Sequence, residues 1–259
     1  MSKPLADRGW DLKAGDHHYR AFVGPPRRFD LLAARQFNLL TSLGLREHHT
    51  LLDIGCGSCR AGRLFMPYLL SGHYFGLEPE QWLVEQGIEQ ELGQDILRVK
   101  APTFVFDTVF SLSRFGRTFD FLLAQSIFSH TSERQLRRCL SQARQVMKRN
   151  AIFAANFKAG RATTVGATWT YPGCVTLTWR CFRDIVTSEG LACVPLRWPH
   201  PSPSWVVIVP PGCEQLIPDP GRPGGILSFS DAPVSGGTFH WLRLAQRVKG
   251  WLNAARGRP

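Results

Sequence analysis

The stretch LLDIGCGSCRAG at residues 51–62 places an acid, closely spaced glycines and two cysteines within one short segment. Asp53 ends an apolar run, and Gly55 and Gly57 follow at alternate positions before a helical pattern begins. A second acid, Glu78, closes the next apolar run, HYFGLE. Because an ionised carboxylate only accepts hydrogen bonds, two such acids could hold a ligand rich in hydroxyl and ammonium groups.

The glycine turn lacks the pattern of a phosphate site. The dinucleotide fingerprint G-x-G-x-x-G requires a third glycine where this chain has Arg60, and no G-x-x-x-x-G-K-[ST] motif occurs. S-adenosyl-L-methionine has no phosphate but carries an ammonium and a sulfonium, which suit an acid at Asp53. Gly55 and Gly57 let the backbone approach its methionine end closely, and Glu78 is predicted to accept hydrogen bonds from both ribose hydroxyls. The sequence therefore predicts this cofactor.

The rest of the chain alternates short apolar runs with helical patterns, which predicts a parallel, doubly wound, Rossmann-like α/β sheet. The connection between the last two strands is too short for a crossover helix, so strand seven is predicted to be antiparallel. Ligands of such sheets bind at the carboxyl ends of the strands, where Asp53 and Glu78 lie. The predicted strands are residues 50–54, 73–78, 104–106, 119–125, 151–157, 192–196 and 205–209, and the predicted helices are 30–43, 61–70, 80–92, 132–147 and 179–189.

Three blocks, DIGCG, GLEPE and FDFLLAQSIFSH, together resemble the class I SAM-dependent methyltransferases over about residues 45–210. The resemblance implies a seven-stranded fold, methyl transfer and S-adenosyl-L-methionine (SAM) as the cofactor. It implies that Asp107 binds the adenine amine, that Gln125 and Ser126 line the SAM sulfur and the substrate, and that the loop with Cys56 contacts SAM. This chain departs from the D-x-G-x-G-x-G pattern at its third glycine, which is a cysteine.

Several side chains are candidates for the acceptor side of the site. His130 follows strand four on the ligand side and is predicted to act as a general base; the alternative is that it caps or packs against the next helix. Tyr171 and His200 lie in loops at the same edge and are predicted to line the substrate pocket. Residues 17–19, His-His-Tyr, are candidates for a lid over SAM.

The predicted acceptor is a small molecule, a saccharide or another compound that is not nucleic acid. The tetrad (N/D/S)-P-P-(Y/F), which enzymes that methylate amino groups of DNA bases carry after strand four, is absent. The net charge of +11 fits nucleic acid, an anionic membrane, an acidic substrate or simply solvated arginines. No RNP-like or zinc-finger pattern supports the first of these. A non-catalytic SAM-binding scaffold or sensor remains an alternative, and Arg60 disfavours a nicotinamide-dependent oxidoreductase.

The chain is divided into a predicted N-terminal arm and helix (1–45), a SAM-binding methyltransferase domain (46–210), a Gly/Pro-rich linker (211–238) and a basic amphipathic helix (239–259). The final helix either docks on its own domain or lies on an anionic membrane surface. No apolar signal core or run of about 20 apolar residues occurs, and the seven cysteines are an odd number, which predicts a cytoplasmic protein with reduced thiols. Cys56-x-x-Cys59 has no second pair, so no metal is predicted. The oligomeric state is left open.

Overall fold

The computed structural model describes residues 7–196, 198, 204–214 and 217. Its seven strands form one sheet in the order β3-β2-β1-β4-β5-β7-β6. Strand β7 runs antiparallel to both β5 and β6, and the other neighbouring pairs are parallel. The predicted fold class is thereby confirmed. The strands are β1 (Leu51–Ile54), β2 (Tyr74–Leu77), β3 (Thr103–Val105), β4 (Phe119–Ala124), β5 (Met147–Phe157), β6 (Ala192–Leu196) and β7 (Ser204–Val209).

Six α-helices accompany the described sheet: α1 (Phe29–Ser42), α2 (Gly62–Tyr68), α3 (Gln81–Gly87), α4 (Asp95–Lys100), α5 (Glu133–Val146) and α6 (Trp179–Ser188). The helix predicted over 80–92 is α-helical only as far as Gly87, and a π-helical turn continues it over Ile88–Leu92. Helix α4 was not predicted. Among the described residues, no helix is long and apolar enough to cross a membrane.

The sheet is buried on both faces, as expected for parallel strands covered by helices. Alternate residues point to opposite faces, so Leu51 and Leu52 of β1 belong to two different apolar clusters. Helix α5 packs its apolar face on one of them. Its start is fixed by a capping box, in which Ser132 Oγ accepts from the Gln135 N–H and Gln135 Oε1 accepts from the Ser132 N–H.

The topology brings the two conspicuous acids to one edge of the sheet. Strand β1 pairs with β2 on one side and with β4 on the other, so the chain order reverses beside β1. Asp53 lies in β1 opposite Gly76 of β2, and Glu78 directly follows β2. A ligand crevice is expected at such a reversal point. His200 and the predicted C-terminal helix lie outside the described residues, as does most of the predicted linker, and the predicted domain boundaries stay predictions.

Candidate functional site

A cavity of about 580 Å³ opens at the carboxyl ends of β1, β2 and β4. Its wall is completed by the N-terminal segment, which we define as residues 8–28, and by the loop between β5 and α6. The structure thus brings together every predicted site residue that it describes. These are Asp53, Gly55, Cys56, Gly57, Glu78, Asp107, Gln125, Ser126, His130 and Tyr171.

Asp53 is buried at the end of β1, with only 3% of its surface exposed. The Tyr74 hydroxyl donates a hydrogen bond of 2.9 Å to its Oδ2. Burial raises the pKa of Asp53 to about 6, although the Tyr74 bond and the charge of Arg60 act in the opposite direction. Among the described residues Oδ1 accepts no hydrogen bond, so this oxygen is available to a ligand donor.

Glu78 joins the end of β2 to the glycine turn. Its Oε2 accepts from the Gly57 N–H at 2.8 Å, and its Oε1 accepts from the Glu80 N–H at 3.1 Å. These bonds use two of the roughly four acceptor positions of a carboxylate, which leaves room for ligand hydroxyls. Burial raises the pKa of Glu78 to about 7, against the lowering effect of the two backbone donors. The sequence did not indicate that this acid also braces the turn.

The glycine turn is crowded from the cavity side. A Cβ at Gly55 would lie 2.1 Å from Ile127 Cδ1, and one at Gly57 would lie 2.6 Å from Val23 Cγ1. Both glycines have positive φ angles, 71° and 55°. Ile127 and Val23 therefore pack directly on the turn, and a side chain at either glycine would displace them. Cys59, at the third glycine of the pattern, has a φ of 54°, so the backbone takes a glycine-like conformation despite the substitution.

Asp107 follows β3 and lies at the cavity wall, as predicted. Its Oδ1 accepts from the N–H groups of Val109 and Ser111 at 2.7 and 3.1 Å, and its Oδ2 lies 3.7 Å from Arg114. Burial alone would raise the pKa of Asp107, but these donors outweigh it and hold the pKa below its ordinary value. The group is therefore an ionised acceptor, which suits the predicted role toward an amine.

Gln125 and Ser126 lie at the end of β4 and are held by a network that the sequence did not reveal. The Arg60 guanidinium donates to Gln125 Oε1, and the Gln125 amide donates to Ser126 Oγ. The Ser126 N–H donates to Asn156 Oδ1 at 2.7 Å. Arg60 entered the sequence argument only as a break in a phosphate motif. The structure makes it a part of the cavity wall that orients the amide of Gln125.

His130 is fixed by the loop between β5 and α6. Its Nδ1 lies 3.0 Å from the Thr170 carbonyl oxygen and 2.6 Å from that of Gly173. Since both neighbours are acceptors, Nδ1 carries the proton and the lone pair of the ring is on Nε2, which has no hydrogen-bond partner among the described residues. Burial lowers the pKa of His130 below its ordinary value, although the two carbonyls oppose this. Ser132, and not His130, caps the following helix.

Tyr171 links the acceptor side of the cavity to the N-terminal segment. Its hydroxyl donates to the Phe22 carbonyl oxygen, and its ring meets that of His130 edge to face at 5.0 Å. The His17 ring stacks on Trp82 at 4.4 Å. The segment lines the cavity through residues 22–25 and not through the His-His-Tyr run at 17–19, so the predicted lid at those residues stays a prediction.

The two cysteines of the turn are both buried. Cys56 is buried, and burial raises the pKa of its thiol well above the ordinary value. Cys59, its partner in the pair, is also buried and free. Over the part of the chain that the structure describes, no group of three or more His, Cys, Asp or Glu side chains could hold a metal ion.

Comparison with known proteins agrees with this geometry. Residues 52–153 match the family model described as a methyltransferase domain. A search of curated proteins found no match. The match indicates a methyltransferase domain over this part of the chain, in agreement with the predicted resemblance to the class I SAM-dependent methyltransferases.

Three similar solved structures, each below 25% identity and therefore informative about the fold alone, are methyltransferases. The first is magnesium protoporphyrin IX methyltransferase from Synechocystis PCC 6803 with bound SAM, at 14% identity and a TM-score of 0.51, covering 70% of this chain and 82% of that chain. The second is a glycopeptide N-methyltransferase complexed with SAM, at 11% identity and a TM-score of 0.53, covering 69% and 94%. The third is an O-methyltransferase family protein from Burkholderia thailandensis, at 13% identity and a TM-score of 0.52, covering 74% and 59%.

Proposed function

We propose that this methyltransferase transfers the methyl group of SAM to a hydroxyl of a small-molecule or saccharide acceptor. The observation that carries the proposal is that one cavity contains both the buried acids Asp53 and Glu78 and the free Nε2 of His130. The acids suit the donor, and the histidine suits an acceptor that must lose a proton. The free state of all seven cysteines supports a reducing compartment, and we infer the cytoplasm.

The donor half of the cavity matches the polar groups of SAM. Asp53 offers an acceptor to an ammonium, Glu78 offers acceptors to ribose hydroxyls, and Asp107 offers one to an adenine amine. Gly55 and Gly57 line the cavity together with Ile127 and Val23, which pack against them, and would contact the methionine portion. When bound, SAM supplies a methyl group on a positively charged sulfur, which is the electrophile of the reaction.

The acceptor half is aromatic and contains a positioned base. Trp169 is 42% exposed and its ring centre lies 5.5 Å from that of His130. An exposed indole beside a tyrosine can hold a flat or saccharide ring by apolar and stacking contacts. His130 is neutral and its Nδ1–H is occupied, so Nε2 can remove a proton from an acceptor hydroxyl held beside it. The remaining task of the protein is to align the reacting groups and to exclude water.

A binding and transfer experiment tests the proposal. Calorimetry of the full chain is expected to show binding of SAM and S-adenosylhomocysteine (SAH) and no binding of NADH. Tritium from methyl-labelled SAM is then expected to appear in the small-molecule or glycan fraction of a lysate. A preference for NADH would reject the methyltransferase assignment, and donor binding without a labelled acceptor would favour a scaffold or sensor.

Replacing His130 with Gln is expected to separate catalysis from donor binding. A glutamine amide can still donate to the Thr170 or Gly173 carbonyl, but it cannot take up a proton. Transfer to the labelled acceptor fraction should fall by about 10²- to 10⁴-fold, while the SAH dissociation constant stays within about threefold. Transfer at the wild-type rate in His130→Gln would remove His130 as the base.

A further inference from the structure

Arg60 is a buried cation whose hydrogen-bond partners among the described residues are neutral, although the charge of Asp53 also acts on it. Only 8% of its surface is exposed, and it lines the cavity. Its Nη1 donates to the Val23 carbonyl oxygen at 2.7 Å, and its Nη2 donates to Gln125 Oε1. Within the described part of the chain no carboxylate forms an ion pair with it, and its buried Nε–H has no hydrogen-bond partner.

The positive charge of Arg60 has no hydrogen-bonded anion among the described residues to neutralise it. A buried cation is costly unless an anion and hydrogen bonds compensate for the lost water. A guanidinium has five N–H donors, and the bonds to Val23 and Gln125 use two of them. Arg20 shows the usual solution, because it is also buried but pairs with Glu91 and lies 3.5 Å from Asp30. The charge of Arg60 thus calls for an anion that enters the cavity.

The surroundings of Arg60 specify the kind of anion. Asp53 lines the same cavity, and the charge of Arg60 acts to lower the pKa of Asp53. Asp53 precedes the glycine turn and the Arg60 cation follows it, which suits a ligand end that carries an ammonium and a carboxylate together. A planar guanidinium also matches the geometry of a carboxylate well. An α-amino acid group has both charges on one carbon.

We infer that Arg60 binds the carboxylate of the methionine portion of SAM, while Asp53 accepts from its ammonium group. This inference rests on the proposed function. It makes Arg60 a determinant of donor specificity, in addition to its contacts with Val23 and Gln125. A nucleoside that lacks the carboxylate would leave the guanidinium buried without its counter-charge.

The test compares two nucleosides in one protein. SAH and its decarboxylated analogue, which has hydrogen in place of the carboxylate, are titrated into the full chain by calorimetry. Wild-type protein is expected to prefer SAH by about 10- to 100-fold, as for a charge-assisted hydrogen-bond pair. In Arg60→Gln the preference should fall to within about threefold. Arg63→Gln serves as the matched control, because Arg63 lies one turn away, pairs with Asp30 and does not line the cavity; it should keep the wild-type preference.

Each outcome decides the matter. Equal binding of both nucleosides to wild-type protein overturns the inference. This result does not depend on whether Arg60→Gln folds. A full preference for SAH in Arg60→Gln also overturns it, and if methyl transfer is lost at the same time, Arg60 serves the acceptor instead. Failure of wild-type protein to bind either nucleoside would reject the proposed function itself, together with this inference.

Discussion

Replacing Gly87 with Ala is expected to destabilise the protein by about 3 kcal/mol, which is large for the addition of one methyl group. Gly87 ends α3 where this helix meets the glycine turn. A Cβ there would lie 2.0 Å from the Ser58 carbonyl oxygen and 2.4 Å from its carbon. Both are backbone atoms and cannot rotate away as a side chain can. Helix α3 or the turn must move, and the donor side of the cavity moves with it.

Denaturant unfolding of the two proteins measures the loss directly, and calorimetry with SAH should show weaker binding by the variant. Gly116→Ala is the matched control, because Gly116 is left-handed, with φ 63° and ψ 21°, but has no atom within 4 Å of the place that a Cβ would take. Its cost should be only the strain of a left-handed alanine, about 1 kcal/mol. An equal loss of stability in both variants would show that contact with Ser58 is not what makes Gly87 necessary.

Replacing Glu78 with Gln should weaken SAH binding by about 1–3 kcal/mol, which is roughly 5- to 150-fold. Glutamine has nearly the same size but has one acceptor oxygen and no charge. It can serve only one of the two backbone donors at Gly57 and Glu80, and its amide group would face the other. Calorimetry with SAH measures the loss. Glu85→Gln, on the exposed side of α3, is the control and should bind SAH as the wild type does.

The same carboxyl gives the donor site a pH dependence. Burial raises the pKa of Glu78 to about 7, compared with about 4 in an unfolded chain. Its contribution to stability is therefore fully present below about pH 4 and is lost as the pH rises through 7. Ligand binding changes in the opposite direction, since the ionised carboxylate is the better acceptor. The rise in melting temperature caused by SAH should be larger at pH 8 than at pH 5.5; an equal or smaller rise would contradict this role of Glu78.

The acids of the site were predictable because each lies at the end of an apolar run. Asp53 and Glu78 follow consecutive strands, and the sheet topology needs only the order of strands and helices to place them side by side. His130 was predictable in the same way from its position after β4. What the sequence could not supply is contact between segments distant in the chain. The carbonyls that set the His130 tautomer belong to the loop between β5 and α6, 40 or more residues away.

Local patterns also failed where backbone geometry depends on packing. The apolar spacing over residues 80–92 is continuous, yet the α-helix gives way to a π turn after Gly87. Gly87 looks like a weak helical residue in the sequence, and only the approach of Ser58 explains it. Similarly, the helix predicted over 30–43 begins at Phe29, and the Asp30 carboxylate pairs with Arg63 at 2.6 Å.

The N-terminal segment is docked through its main chain as much as through its side chains. The carbonyl oxygens of Phe22 and Val23 receive the hydrogen bonds of Tyr171 and Arg60. Every residue type presents the same carbonyl, so both bonds can survive replacement of the side chains that carry them. A divergent relative with other residue types at positions 22 and 23 would therefore form the same two hydrogen bonds at this cavity. Such a relative would be recognised by an Arg and a Tyr at the positions of Arg60 and Tyr171. Comparison of the N-terminal segments alone would not reveal the shared contacts.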